Sequence, residues 1–320
     1  MPRNTNILIT SAGKRVELVL EFQRELQRLL PGGKVLTTEL CPELSPAAHV
    51  SDGCITMPRV TDPTYIDTLL ATCLDYHVGL IVPTIDTELM PLARARETVA
   101  THGIAIAISD TPLIATCRDK RLTAALFEQM GIPVPAPRDK HAPTFPMFAK
   151  PYDGSLSCNL HIINTPADLT PDILADPKLI FMELIDKSVY KEYTVDIYYG
   201  SDHCAKAIVP RERLAIRAGE INKGATRRTW LLPYLHQRIS HLDGARGSLC
   251  MQLFVDDERQ QVRAIEVNPR FGGGYPLSYY AGANFPAWLI SEYLLGKEIA
   301  YTDSWRPDTI MLRYDSQIII

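Results

Sequence analysis

The first 110 residues alternate short apolar runs with segments of helical period, and that alternation admits few folds. Asn6–Thr10 (NILIT) reads as a strand and Ser11–Arg15 as the turn after it. Val16–Leu30 then carries apolar residues at 16, 18, 19, 20, 22, 26, 29 and 30, mostly at helical spacing. Pro31-Gly32-Gly33 stops that helix. Lys34–Glu39 and Gly53–Met57 predict further strands, Pro63–Tyr76 a helix, Gly79–Pro83 a buried strand and Thr87–Gly103 another helix. Strands separated by helical crossovers pair in parallel and are covered on both faces. Residues 1–110 are therefore expected to form a doubly wound α/β domain.

From Thr111 the pattern changes. Thr111–Met130 predicts one or two helices, and Gly131–Pro137 (GIPVPAP) a stiff extended linker. Pro146–Pro151 and Asn159–Ile163 read as strands around the polar loop Tyr152–Cys158. Lys178–Leu184, Glu192–Tyr199, Cys204–Arg211, Arg213–Ala218, Ser248–Phe254 and Val262–Val267 continue a β-rich half. Strand runs without regular helical crossovers predict an antiparallel sheet, so this half is α+β. The expected division is 1–110 and 111–320, the latter with a small lobe over about 111–184 and a large lobe over about 185–320.

Composition excludes several classes. Lys and Arg number 33 against 37 Asp and Glu, a net charge of −4, so the chain is not a generally basic nucleic-acid binder. No apolar stretch is long enough to span a membrane, and the N-terminus has no signal-peptide pattern. The 7 cysteines are scattered without a CxxC pair, as expected of reduced thiols in the cytoplasm. The histidines form no metal-ligand spacing, and no Ser-His-Asp signature or Walker motif occurs.

Three constellations carry candidate chemistry. In MQLFV…AIEVNPRFGGG, Glu266 and Asn268 lie two apart and share one strand face. They offer two hard oxygen ligands suited to magnesium shared with phosphate, and Gln252 adds a third if its strand pairs alongside. Arg270, two residues on, could hold an anionic phosphate. Solvated strand residues beside a glycine turn are the plainer alternative. Lys150 precedes the small polar loop that begins Asp153-Gly154-Ser155 and continues through Ser157. A lysine and such a loop suit nucleotide phosphates, although taken by itself the loop reads more simply as an ordinary Asp-Gly turn. Glu183-Leu184-Ile185, with Glu192 downstream, could meet adenine and ribose, or form a hairpin with a charged turn.

Taken in order, Lys120, Lys150, the DGS loop, Glu183…Glu192 and Gln252…Glu266-x-Asn268-x-Arg270 resemble the ATP-grasp superfamily. The arrangement is most similar to its carbamoyl phosphate synthetase large-subunit branch and its pyrrolysine-biosynthesis ligase type. The interval of 14 residues from Gln252 to Glu266 also fits that branch. The resemblance implies an N-terminal doubly wound (pre-ATP-grasp) domain and a two-lobed ATP-grasp domain that grips ATP. It implies phosphate contacts from Lys120, Lys150, Asp153, Gly154, Ser155 and Ser157, adenine contacts from Glu183 and Ile185, and a ribose contact from Glu192. Gln252, Glu266 and Asn268 would ligate Mg²⁺, with Mn²⁺ an acceptable substitute, and Arg270 would stabilise the transferred phosphoryl group. The implied reaction is attack of a carboxylate on the γ-phosphate of ATP, then displacement of the acyl phosphate by an amine or thiol.

The cationic stretch from Pro210 to Gly224 adds Arg211, Arg217 and Lys223 as candidate clamps for phosphate or substrate carboxylate, whereas Arg213 reads equally as an exposed strand residue. In the N-terminal half, Lys14 and Arg15 follow the first strand, and Asp86 and Glu88 follow the GLIVP strand, at the edge where open α/β sheets bind ligands. One loop is cationic and the other anionic, which suits an amino acid or derivative. Helix capping by Asp86 or Thr87 is the competing reading. Small-molecule carboxylate and amine partners are expected, without nucleic acid or membrane, and a homodimer is compatible. Two other classes compete. The phosphate loop has a single glycine, which would suit a nucleotide-binding protein with weakened turnover. A nicotinamide-dependent oxidoreductase rests on the first βα unit alone, and GxGxxG is absent.

Overall fold

The computed structural model describes residues 4–154, 159–217 and 219–320. It opens with β1 (Asn6–Thr10), α1 (Val16–Leu29), β2 (Val35–Glu39), the short α2 (Pro46–Val50) and β3 (Cys54–Thr56). α3 (Tyr65–Asp75), β4 (Val78–Pro83), α4 (Asp86–Ala100) and β5 (Ala105–Ile106) follow. The strands form a parallel sheet in the order β3-β2-β1-β4-β5. The chain thus starts in the middle of the sheet and winds outward both ways, the doubly wound pattern expected.

Alternation along the strands divides the core between the two faces. Ile7 and Ile9 of β1 join Leu80 and Val82 of β4 against Leu18, Val19, Phe22 and Leu26 of α1. Leu8 and Ile81 point the other way, toward Leu69 of α3 and Leu89 and Leu92 of α4. Helix α1 ends where expected: Pro31 removes a donor, and Gly32 takes φ +92°, a conformation that favours glycine.

The segment after the parallel sheet forms two helices, α5 (Thr111–Arg118) and α6 (Lys120–Gln129). They break at Asp119, whose side chain caps α6 by accepting the Arg121 N–H at 2.9 Å. β6 (Met147–Pro151), β7 (His161–Ile163), α7 (Pro171–Ala175) and β8 (Leu179–Glu183) come next, and the three strands make an antiparallel sheet ordered β7-β6-β8. The remainder supplies β9 (Lys191–Tyr199), β10 (Ala205–Arg217), β11 (Glu220–Thr226), α8 (Leu231–Ile239), β12 (Gly247–Asp256) and β13 (Gln261–Asn268). α9 (Pro276–Ala281), α10 (Phe285–Leu289) and β14 (Ile310–Leu312) complete it. The second sheet is antiparallel in the order β13-β12-β9-β10-β11-β14.

Two details differ from the sequence expectation. The runs expected to be separate strands on either side of Glu212 are one strand, β10, because Pro210, Arg211 and Glu212 all stay paired with β9. β11 (EINKGAT) goes unanticipated because it is polar and contains Gly224. Close packing favours that glycine: a Cβ there would press on the tip of the Ile221 side chain and stand 3.1 Å from the Glu212 carbonyl.

An aromatic chain joins the parallel-sheet half to the β-rich half. Phe22 of α1 meets Phe271 edge-on at 5.9 Å, Phe271 meets Tyr275 at 4.7 Å, and Tyr275 meets Phe285 at 4.9 Å. All four are fully buried or nearly so. Phe22→Ala should therefore cost about 3–5 kcal/mol in urea unfolding, the range for emptying an aromatic core site. A loss below about 1 kcal/mol would show that the junction does not depend on this contact.

Candidate active site

Register builds the site. Arg211 of β10 lies opposite Thr194 of β9, Thr194 opposite Gln252 of β12, and Gln252 opposite Glu266 of β13. Directly paired residues share a face, so these four form one row across the sheet. Two residues along, Val209, Asp196, Cys250 and Asn268 make a second row on the same face. Gln252 and Asn268 both direct their amides to one oxygen of Glu266, at 2.8 and 3.1 Å.

Two lysines from other elements reach this corner. Lys120, the first residue of α6, lies 3.9 Å from the second Glu266 oxygen and donates to the Gly154 carbonyl. Its own N–H donates to the Tyr152 carbonyl at 2.8 Å, which ties the helix start to the loop. Lys150, on the central strand of the small sheet, is only 7% exposed. Burial pulls its ammonium from 10.5 down to about 8; Glu266 opposes that shift and Lys120 adds to it. Two cations around one carboxylate leave a positive surplus beside a row of polar oxygens.

A second cationic group adjoins the first. Beyond Asn268 the strand ends, and the Arg270 N–H turns back to the Asn268 carbonyl at 2.8 Å. The Arg270 side chain therefore does not continue the Glu266–Asn268 row. It crosses to the parallel sheet and grips Asp86 through two bonds of 2.9 and 2.7 Å. Arg15 lies close by, and donates to the Thr84 carbonyl at 2.9 Å. Burial, reinforced by the charge of Arg270, lowers the Arg15 guanidinium to about 10. Arg211 is 1% exposed and paired with Asp196 at 2.7 and 2.8 Å; Ser278 donates to the same carboxylate at 2.6 Å. Its remaining Nη1 is buried without a partner, and a Cβ on Gly274 would stand 2.5 Å from it. The glycine run after Arg270 thus lets the backbone pack onto the guanidinium.

Other expected site residues have different surroundings. Glu88 is fully buried: it accepts the Thr84 and Ile85 N–H groups at 2.6 and 3.0 Å and the Ser11 hydroxyl at 2.8 Å. Burial raises its carboxyl, and as a buried helix-start anchor it does not present itself to a substrate. Helix α4 is capped through Glu88 rather than by Asp86 or Thr87. Lys14 is exposed and pairs with Glu220 at 2.9 Å. Arg217 pairs with Asp315 on the surface, six residues along β10 from Arg211 and so about 20 Å away. Lys223 is an exposed residue of β11. Glu88, closed on the start of its own helix, and Arg217, far along its strand, are thus not brought to the expected reacting centre, whereas Lys14 shares Glu220 with the surroundings of Arg15.

At the expected nucleotide end, Glu183 directs its N–H to the Ala136 carbonyl at 2.8 Å and its side chain to Arg263 at 3.0 Å. Among the described residues the Ile185 N–H makes no backbone hydrogen bond. Glu192 is paired with Arg213, which is largely buried rather than an exposed strand residue. Asp153 is paired with Lys178 at 2.8 Å. Ser155 and Ser157 lie outside the described residues. Asp196 and Ser278 were not anticipated, although a carboxylate inside the apolar run Thr194-Val195-Asp196-Ile197 signals a buried partner.

Comparison with known proteins fits this architecture. Residues 7–107 match the model for the PylC-like N-terminal domain. Residues 175–314 match the model for ATP-grasp in the biosynthetic pathway with Ter operon. This chain is an ATP-grasp protein. No curated protein matches its sequence. Among solved structures, this ATP-grasp chain is similar to a biotin carboxylase–β-γ-ATP complex from Campylobacter jejuni, with TM-score 0.72, 15% identity and coverage of 96% of this chain and 74% of that one. The biotin carboxylase domain dimer of Hydrogenobacter thermophilus 2-oxoglutarate carboxylase, in complex with MgADP, gives 0.71 at 14% identity, covering 96% and 73%. An L-amino acid ligase from Bacillus licheniformis gives 0.70 at 18% identity, covering 96% and 78%. Identities this low establish shared fold.

The donor set fits a magnesium ion carried by nucleotide. Glu266 supplies one charge, and Gln252 and Asn268 supply amide oxygens if their amides turn over. A site with one carboxylate is incomplete for Mg²⁺ until phosphate oxygens and water complete it. Among the described residues no group of three His, Cys, Asp or Glu side chains could hold a metal alone.

Lys150 gives a test with a defined sign. Its folded-state value, about 8, lies below the 10.5 of the exposed group. The penalty for burying its charge is therefore complete below pH 8 and disappears as pH rises from 8 to 10.5. Lys150→Met should raise unfolding stability at pH 7 by up to about 3 kcal/mol. That gain should vanish near pH 10.5, and ATP should no longer stabilise the variant. A variant less stable than wild type at pH 7, or still stabilised by ATP, contradicts this role.

Proposed function

We propose that this chain uses ATP and Mg²⁺ to couple a carboxylate to an amine through an acyl phosphate, and that an amino acid or derivative supplies one partner. The convergence of Lys120 and Lys150 on Glu266, beside Arg270 and Arg15, carries the reading. Phosphoryl transfer needs alignment and charge neutralisation more than covalent help, and this cluster supplies cations already desolvated and aimed at one place. Lys120 and Lys150 hold phosphate oxygens. Bound at Glu266, Gln252 and Asn268, Mg²⁺ would neutralise phosphate charge. The open N–H of Ile185 and the carbonyl of Glu183 offer an edge to adenine. Glu192 reaches ribose hydroxyls only by sharing its carboxylate with Arg213.

The substrate side rests on Arg15, Arg270 and Asp86. Arg15 and Arg270 repel one another, and an anion relieves that repulsion. A zwitterion can exchange into the Arg270–Asp86 pair group for group, its carboxylate to the arginines and its ammonium to Asp86. Fold similarity to an L-amino acid ligase supports this class of substrate. Arg211, held by Asp196, backs the glycine run that follows Arg270 and so keeps the turn in place.

Amino acids should stimulate ADP release from ATP and Mg²⁺. Glu266→Gln should abolish that release while leaving the melting temperature within a few degrees. Asp86→Asn should raise KM for the ammonium-bearing substrate at least tenfold, a loss of about 1.4 kcal/mol or more of binding. Unchanged turnover in Glu266→Gln would remove the phosphate site. Unchanged KM in Asp86→Asn would remove the ammonium placement alone.

A further inference from the structure

A second cluster of reactive side chains lies away from these residues, where the turn between β9 and β10 meets the end of α8. Cys204 and His241 pair there as an isolated antiparallel bridge. The Cys204 sulfur is 3.6 Å from His241 Nδ1, and His241 Nε2 is 2.9 Å from an Asp243 carboxylate oxygen. Cys204 is partly exposed, and the His241 and Asp243 side chains are 54% and 97% exposed. With Asp243 accepting from Nε2, the proton of the neutral ring resides on that nitrogen, and the Nδ1 lone pair faces the thiol. That is the order of groups that moves a thiol proton to an imidazole.

We propose that Cys204 is an activated thiol and a site of reversible mixed-disulfide formation with low-molecular-weight disulfides. His241 Nδ1 takes the thiol proton. The Cys204 sulfur attacks one sulfur of the incoming disulfide, so one S–S bond forms and the old one breaks. The departing sulfur leaves as a thiolate and takes the proton from the imidazolium, and no outside oxidant is needed. The other charges around the thiol are mostly paired. Asp202, which accepts the Cys204 N–H at 3.1 Å, is held by Lys206 at 2.6 Å. His203, whose ring lies 6.2 Å from that of His241, faces Asp110, which is already bound by Arg96 and Arg246. Among the described residues no cysteine is bonded to another, so a mixed disulfide is the product this site can form.

The experiment is alkylation of the intact protein by iodoacetamide across pH 5.5–9.5, with each cysteine followed by peptide mass. Cys41, exposed and without a hydrogen bond to a histidine among the described residues, is the internal reference. At pH 7 Cys204 should react about three- to tenfold faster than Cys41, the gain in thiolate fraction being partly offset by lower intrinsic nucleophilicity. Its pH midpoint should lie below that of Cys41. His241→Gln should return both rate and midpoint to those of Cys41, Asp243→Asn should do so in part, and glutathione disulfide should modify Cys204 in preference to Cys41. His241 and Asp243 are surface residues, and circular dichroism checks that the variants stay folded. A wild-type midpoint equal to that of Cys41 overturns the proposal without any variant, as does a rate insensitive to His241→Gln.

Discussion

The pairing of four antiparallel strands decides which groups can meet in this protein. Arg211, Thr194, Gln252 and Glu266 occupy one row because β10, β9, β12 and β13 hold register from this row to the next; the β12–β13 ladder shifts only on the other side, between Gln252 and Leu253. A slip of one residue on any of these strands would turn its member of the row to the other face. Neighbouring strands lie about 4.8 Å apart, so the row spans roughly 14 Å from the Arg211 backbone to that of Glu266. Lys120 and Lys150 come from outside the sheet, and they have a common target because the row fixes where Glu266 stands.

The charge arrangement is costly in the ligand-free protein. Lys150 and Arg15 are both pulled below their ordinary values, chiefly by burial. Keeping such cations buried and incompletely paired sacrifices stability in return for a site that already suits an anion. Arg211 is treated differently: Asp196 neutralises it through two hydrogen bonds, Ser278 donates to that same carboxylate, and glycines close over the guanidinium, whose Nη1 stays unpartnered. One set of cations is left short of partners and the other is locked. In the function proposed above, that contrast separates groups that await a ligand from a group that holds the backbone around them.

Much of this was legible in the sequence where the signal is local. Strand–helix alternation announces the parallel sheet, and the spacing of Glu266 and Asn268 announces their common face. Pairings between distant elements were not legible. Arg270 and Asp86 are 184 residues apart, and no local pattern shows that the arginine turns from its own strand toward the other sheet. Glu88 looked available because it follows a strand at the ligand edge, but its carboxylate closes the start of its own helix. Alternation placed Arg217 in line with Arg211 without indicating that β10 runs on to the surface. Glu192 read as a ribose contact or part of a charged turn and Arg213 as an exposed strand residue, and neither reading showed that β9 and β10 pair them with each other.

In the proposed function the cations around Glu266 form a nucleotide phosphate site completed by magnesium. Calorimetric titration of the full chain with a non-hydrolysable ATP analogue, with and without Mg²⁺, addresses it most directly. Binding should saturate at one site per chain and be at least tenfold weaker without Mg²⁺, and Mg²⁺ at millimolar concentration should not bind measurably without nucleotide. Absence of binding at millimolar analogue in the presence of Mg²⁺, or an affinity indifferent to the metal, would contradict it.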